Sequence, residues 1–159
     1  MSLVCLTKND KGDTVLAGFN VLSISTPDEK ISDIKVDGWF INFILKFFTY
    51  LDAQRNVFQE FGVDKCLKAM GLYVLPDYRG EGLGWKLLQA RIPLCKSMGI
   101  KVTTTVFTSI VSQKQAYKAG FQDYFSVDYD VLGKTKPEFN IPNIQEHTKA
   151  VKILYKLVD

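Results

Sequence analysis

A glycine-rich turn beside an arginine is the part of this sequence best suited to chemistry. Residues 73–84 read YVLPDYRGEGLG, a strand pattern that leads through the turn into an amphipathic helix. Backbone N–H groups at a helix N-terminus are unpaired and the helix dipole makes that end positive, so the turn can bind an anion. Glycines at 80, 82 and 84 let a phosphate approach the backbone closely, and Arg79 adds a cation.

The spacing of these glycines argues against the two commonest nucleotide motifs. A dinucleotide-binding GxGxxG needs a third glycine where Trp85 stands, and the ATPase phosphate loop needs Gly-Lys-Ser/Thr, which the turn lacks. The pattern that remains is Arg-x-x-Gly-x-Gly, formed by Arg79, Gly82 and Gly84. A nucleotide-binding or structural α/β domain stays open as an alternative to be tested by ligand titration.

The Arg-x-x-Gly-x-Gly pattern, between a strand and a helix, resembles the acetyl-CoA signature of the Gcn5-related N-acetyltransferase (GNAT) superfamily. The likeness covers residues 3–158, and PDYRGEGLGWKLL, TSIVSQKQAYKAGF and QEHTKAVKILYKL are most similar to insect arylalkylamine N-acetyltransferases. The resemblance implies an acyltransferase that moves the acetyl group of acetyl-CoA to a small primary amine by direct attack. An arylalkylamine is one candidate acceptor. The alternative is a GNAT relative that binds acyl-CoA without catalysis.

The resemblance also implies how the cofactor acetyl-CoA is held. Backbone amides of the turn are expected to bind the diphosphate, from Arg79, Gly80, Glu81, Gly82, Leu83 and Gly84. The edge of the preceding strand is expected to pair with the pantetheine arm, through Leu72, Tyr73 and Val74. A backbone N–H on that edge would stabilise the oxyanion that forms when an amine attacks the thioester.

The candidate catalytic residues follow from the two proton transfers that the reaction needs. Ser109 and Ser112 lie three residues apart on one face of a predicted helix, where helix capping is their ordinary alternative role. Many GNAT members have a tyrosine acid where this chain has Ala116, and Tyr117 is one residue late. His147, the single histidine, resembles a loop histidine near the acceptor of the insect enzymes.

The usual general base of the family has no counterpart in this sequence. No Glu occurs in the predicted strand at 65–75, and Glu81 in the turn is expected to face solvent. The family fold normally starts with further elements ahead of the first hairpin, and the insect enzymes carry their carboxylate there. We expect this chain to lack those elements and to expose apolar surface, which predicts a homodimer.

Hydrophobic periodicity predicts the elements around the turn. Strands are predicted at 3–7, 14–25, 65–75, 100–107, 121–131 and 150–158, and helices at 38–51, 52–61, 82–98 and 109–119. Loops are predicted at 26–37 and 133–146, a bulge at Gly71 and a helix kink at Pro93. The aromatic-rich residues 39–51 are expected to form either a core helix or, as a functional surface, the wall of an acceptor pocket or a dimer contact. The order predicts an α/β protein of the GNAT fold, a mixed central sheet flanked by helices.

Composition sets the remaining bounds. A chain of 159 residues that is 47% hydrophobic and 23% charged predicts one domain over residues 1–159 and argues against disorder. A net charge of +3 is too small to predict a nucleic-acid partner. Three separated cysteines without a CxxC indicate reduced thiols rather than a metal site. With no secretory signal or membrane segment in view, we expect a cytoplasmic protein.

Overall fold

The computed structural model describes residues 1–28 and 37–159. Most of the loop expected at 26–37 therefore lies outside the described residues. The strands are β1 (Ser2–Lys8), β2 (Thr14–Ser25), β3 (Cys66–Val74), β4 (Val102–Phe107), β5 (Gln122–Asp128) and β6 (Ala150–Leu157). They form one six-stranded sheet in the order β1-β2-β3-β4-β6-β5.

The sheet is mixed, and its one parallel pair is also its weakest. β3 and β4 run parallel and pair only at Leu67 with Thr103 and at Lys68 with Thr104, whereas the other neighbours are antiparallel over longer stretches. Beyond these pairs the two strands diverge, and the gap between residues 69–74 of β3 and 105–107 of β4 is called the fork below. β3 has a bulge at the base of the fork. Its register with β2 shifts there, between the pair Ala69–Leu22 and the pair Gly71–Val21. This confirms the bulge predicted at Gly71.

The helices are α1 (Trp39–Asp52), α2 (Val57–Phe61), α3 (Leu83–Gln89), α4 (Arg91–Ser97), α5 (Ile110–Lys118) and α6 (Tyr129–Thr135). The helix predicted over 82–98 is broken between α3 and α4 at Ala90. Pro93 has no N–H for the carbonyl of Gln89 and its ring crowds that carbonyl, so the break is the predicted proline effect. Among the described residues, none of the helices is long and apolar enough to cross a membrane.

Side chains on the two faces of the sheet enter separate parts of the core, as strand alternation requires. On one face, Phe47 and Leu51 of α1 pack with Val102 and Val151. On the other face, Leu88 of α3 packs with Phe107 and with Phe121, the residue just before β5. The fork therefore lies between α1 on one side and α3–α4 on the other.

One stretch differs from the sequence expectation. The strand predicted over 121–131 ends at Asp128, and α6 with two single-turn helices occupies part of the loop predicted over 133–146. Tyr129 and Leu132 are three residues apart and both buried, which is helical spacing. In so short a segment the apolar residues of a helical face look like the continuation of a strand.

Candidate active site

A cavity of about 1090 Å³ opens at the fork. It is lined by the edge of β3, the glycine turn, α3, the end of β4, the start of α5 and one face of α1. All nine residues predicted to bind the cofactor line it: Leu72, Tyr73, Val74, Arg79, Gly80, Glu81, Gly82, Leu83 and Gly84. The cleft is thus bounded by elements from both faces of the sheet.

The glycine turn has a backbone that other residues rarely adopt. Gly80 has φ 89° and Gly82 has φ 73°, and a Cβ built on either would meet no protein atom within 4 Å. Gly82 is the N-cap of α3 and no side chain caps that helix end. The turn therefore presents bare backbone to the cleft, with room for a group to lie against it.

The edge of β3 that faces the fork runs directly into this turn. Arg79 Nε donates a hydrogen bond to the Val74 carbonyl at 3.0 Å, and the guanidinium lies 5.5 Å from the centre of the Tyr73 ring. Arg79 is exposed, so its remaining N–H groups face the cleft and solvent. The arginine is thereby oriented by the strand end before any ligand arrives.

Charge around the cleft is strongly one-sided. Among the described lining residues the cations are Arg79, Lys86, Arg91 and Lys118, and the carboxylate is Glu81. Lys118 is held at the rim, where its ammonium lies 4.9 Å from the centre of the Trp85 ring. Such a lining attracts a polyanion. Glu81 is exposed, as the sequence predicts.

Ser109 and Ser112 both line the cleft and both cap α5. Ser109 Oγ accepts from the Ser112 backbone N–H at 3.2 Å and lies 3.0 Å from Ser112 Oγ, and the Ser112 hydroxyl donates to the Ser109 carbonyl at 2.8 Å. The capping role is thus present, and both hydroxyls still border the cleft. Each is half-buried.

His147 and Tyr117 lie outside the cleft lining. His147 is exposed just before β6. The Tyr117 hydroxyl lies 2.8 Å from Asp123 Oδ1 and 2.8 Å from Lys152 Nζ, on the outside of α5. Lys152 and the Tyr117 hydroxyl hold the pKa of the Asp123 carboxyl below its usual value despite some desolvation. The structure therefore brings the serines to the turn, but not the histidine.

The residues of helix α1 divide between the core and the cleft. Phe47 and Leu51 are buried in the core, where Phe47 lies 5.4 Å from the Phe139 ring. Phe40, Ile41, Ile44 and Phe48 line the cleft instead. One face of the helix is core and the adjacent face is an apolar wall.

Sequence reasoning missed an ion pair and a buried arginine near the base of the fork. On the α1 side, Lys68 Nζ and Asp52 Oδ2 form an ion pair at 2.6 Å beside a small cavity of about 20 Å³. On the α3–α4 side, Arg91 is fully buried and bonds to Asn20 and Thr105. The sequence could have indicated Lys68, because it is the one charged residue in the otherwise apolar strand β3. Arg91 gave no such signal, because an arginine in an amphipathic helix usually faces water.

No group of three or more His, Cys, Asp or Glu side chains among the described residues is placed to hold a metal ion. The donors that border the cleft are backbone amides, guanidinium and ammonium groups and hydroxyls. Such a set suits an organic anion rather than a cation.

The comparisons with known proteins agree with this geometry. The acetyltransferase (GNAT) family model matches residues 48–121, which contain the glycine turn and end just before β5. The structure of a mosquito protein from Aedes aegypti, assigned as arylalkylamine N-acetyltransferase 7, superposes with a TM-score of 0.89 at 36% identity. That match covers 100% of this chain and 65% of the mosquito chain. The chain thus has the GNAT fold, and its residues 48–121 are similar to the acetyltransferase (GNAT) family.

Two further GNAT structures support the fold alone. A mosquito arylalkylamine N-acetyltransferase-like 5b aligns over 94% of this chain and 72% of its own at 24% identity, with a TM-score of 0.79. Arylalkylamine N-acetyltransferase 2 of Aedes aegypti aligns over 97% of this chain and 72% of its own at 24% identity, with a TM-score of 0.76. No curated protein matches the chain. The GNAT fold predicted from the sequence, a mixed sheet flanked by helices, is confirmed.

Proposed function

We propose that this GNAT chain is an N-acetyltransferase that uses acetyl-CoA to acetylate a small primary amine, with an arylalkylamine as the candidate acceptor. The observation that carries the proposal is the cleft at the fork. There an open glycine turn and four cations lie next to an unpaired strand edge and an apolar wall. The likeness to the Aedes aegypti protein at 36% identity supports the same class of acceptor.

The turn and the strand edge would hold the cofactor. Amides of residues 80–84 suit the diphosphate because a Cβ at Gly80 or Gly82 would meet no atom of the described residues within 4 Å. The Arg79 backbone N–H, also predicted to bind it, instead donates to the Pro76 carbonyl at 3.1 Å. Leu72–Val74 offer backbone donors and acceptors that β4 does not use, which suits the amide groups of a pantetheine arm. Lys86 and Lys118 at the rim add cations for the remaining phosphate charge.

The reacting groups would meet at the fork. A backbone N–H of the β3 edge would stabilise the oxyanion, and the hydroxyls of Ser109 and Ser112 border the same space. An amine would enter along Phe40, Ile41, Ile44 and Phe48, whose apolar surface suits an aromatic substrate. The role of His147 in proton transfer stays a prediction.

The alternative, a GNAT chain that binds acyl-CoA without turnover, has one observation in its favour. Ala116 stands where many GNAT members have a tyrosine acid, and the neighbouring Tyr117 hydroxyl is engaged with Asp123 and Lys152. A chain without an acid or a base would still bind the cofactor. Turnover therefore decides between the two functions.

We also propose that residues 1–159 form a single domain and that the chain pairs with a second copy. The pairing is supported by apolar side chains exposed on β1, including Val4 at 56% and Leu6 at 58%.

Ligand titration and a turnover assay test the function together. We expect acetyl-CoA to raise the midpoint of thermal unfolding, since a ligand specific for the native state stabilises it, while ATP and NAD do not. We also expect release of CoA with tyramine, dopamine or a polyamine as acceptor. Stabilisation by ATP and not by acetyl-CoA would overturn the assignment. Acetyl-CoA binding without CoA release across a broad amine panel would establish the non-catalytic alternative.

A further inference from the structure

Arg91 is an unusual residue to find fully buried at the wall of the cleft. It is the largest fully buried side chain in the described residues, at 0% exposure. Its Nε donates to Asn20 Oδ1 at 2.8 Å and one terminal nitrogen donates to Thr105 Oγ1 at 2.7 Å. The other terminal nitrogen has no hydrogen-bond partner among the residues that the structure describes. A buried unpaired donor is costly, so one at the cleft wall calls for an explanation.

The charge of Arg91 is not balanced by its surroundings. In the described part of the chain no carboxylate lies within ion-pair distance of it. The titratable groups that act on it are the thiols of Cys95 and Cys66. Burial raises the pKa of the Cys66 thiol, and burial raises the pKa of the Cys95 thiol to about 11, so neither thiol supplies a negative charge near neutral pH.

The guanidinium nevertheless remains protonated near neutral pH. Burial lowers the pKa of Arg91 to about 10, the direction expected when a cation is removed from water. The Phe121 ring, centred 5.8 Å from the guanidinium carbon, is its nearest aromatic neighbour and offers little compensation. A positive charge thus lies under the fork without a counterion.

The contacts of Arg91 place this charge at the base of the fork. Thr105 is the first β4 residue beyond the last β3–β4 pair. Asn20, which accepts from Arg91, also donates to the Gly71 carbonyl on β3 at 2.8 Å. Arg91 therefore connects to both diverging strands. It also lines the same cleft as the glycine turn.

We propose that Arg91 is a positioning residue of the cleft, which holds the two strands of the fork apart and stabilises negative charge on the sulfur of bound coenzyme A. The inference rests on the proposed function, because the cofactor then runs from the turn along β3 to the base of the fork. In acetyl transfer a C–N bond forms to the amine, the C–S bond breaks, and its electron pair leaves on sulfur. The amine proton passes to the thiolate or to solvent. A nearby cation makes the thiolate a better leaving group in a chain with Ala116 at the acid position.

The pKa of the thiol of bound CoA is the direct readout, measured from the ultraviolet absorbance of the thiolate at saturating CoA. We expect it to lie about one unit below that of free CoA, which is about tenfold more thiolate at a given pH below both values. Arg91→Lys keeps the charge and should retain most of this shift. Arg91→Gln keeps hydrogen-bonding atoms without the charge and should abolish it.

Two further variants separate charge from architecture. Thr105→Val removes one partner of Arg91 and leaves the charge, so the lowered thiol pKa should persist. Lys118→Met removes a rim cation and should weaken CoA affinity while leaving the bound thiol pKa unchanged. A purely structural arginine would give a different pattern, in which Arg91→Gln and Thr105→Val impair the protein alike and neither alters the thiol pKa.

The outcomes also separate this inference from the proposed function. If the wild-type chain binds CoA but the bound thiol titrates like free CoA, the role of Arg91 is wrong and the binding proposal stands. The same conclusion follows if Arg91→Gln matches the wild type. If the wild-type chain does not bind CoA, both proposals fall. Should Arg91→Gln not fold, the comparison of free and bound CoA in the wild-type chain still decides the question.

Discussion

Ser109 and Ser112 show how one side chain can serve both the fold and the site. Their hydroxyls complete a reciprocal cap at the start of α5 and border the cleft at the same time. Alanine at Ser109 would therefore mix two effects, because loss of an N-cap costs about 1 kcal/mol of stability. A test of catalysis at Ser109 therefore needs a substitution that keeps a side-chain acceptor for the Ser112 backbone N–H.

We predict that Ser109→Asn and Ser112→Ala lower kcat for CoA release by at least about tenfold, because each removes a hydroxyl placed for proton transfer. The KM for acetyl-CoA should change little. Asn is as good an N-cap as Ser, so the thermal midpoint of Ser109→Asn should stay near that of the wild type. Ser109→Ala serves as the stability control. Wild-type turnover in both Ser109→Asn and Ser112→Ala would remove these serines from the mechanism.

At the residue scale, the sequence was informative wherever residue type alone fixes a local conformation. The open turn could be predicted from its glycines, because the positive φ at Gly80 and Gly82 favours that residue type. Arg91 was not readable, since its partner Asn20 lies 71 residues away and only the folded chain brings them together. The Asp52–Lys68 pair depends in the same way on how α1 packs across β3.

At the element scale, α1 makes the acceptor side of the cleft testable. We predict that Phe40→Ala and Phe48→Ala each raise the KM for an aromatic amine about two- to tenfold, the range expected for the loss of one aromatic contact. Trp39→Ala is the matched control, because Trp39 is 79% exposed and does not line the cleft. Steady-state kinetics at saturating acetyl-CoA measure the effect. An equal rise in KM for the control would mean that the helix surface does not select the amine.

Elements with a long periodic pattern were predictable, and short ones were not. β2 spans Thr14–Ser25 as predicted, and Pro93 correctly located the break between α3 and α4. α6 was missed, because Tyr129–Thr135 is two turns long and follows a strand without a breaker residue. The fork was also beyond prediction from sequence, since the divergence of β3 and β4 depends on pairing between segments distant in the chain.

For the whole molecule, the arrangement of charge matters more than its sum. A net charge of +3 is by itself too small to predict a nucleic-acid partner. The described lining of the cleft nevertheless gathers four cations around one carboxylate. The chain spans 65% of the length of the Aedes aegypti structure that it matches at 36% identity, and that span contains the turn, the fork and the apolar wall.

Two glycines in different turns provide the most direct test of the central claim, that the bare backbone of the glycine turn binds the diphosphate of acetyl-CoA. Gly82 has φ 73° and Gly12, in the β1–β2 turn, has φ 83°, and a Cβ at either position meets nothing within 4 Å. Alanine at either position therefore carries a similar conformational cost, about 1–2 kcal/mol. Only Gly82 lines the cleft.

The decisive measurement is the Kd of acetyl-CoA by titration calorimetry for the wild type, Gly82→Ala and Gly12→Ala, with the thermal midpoint of each recorded alongside. The account predicts a similar fall in thermal midpoint for both variants. It predicts a rise in Kd of about tenfold or more, a loss of at least about 1.4 kcal/mol, for Gly82→Ala alone. An unchanged Kd in Gly82→Ala, or an equal rise in Gly12→Ala, would contradict it.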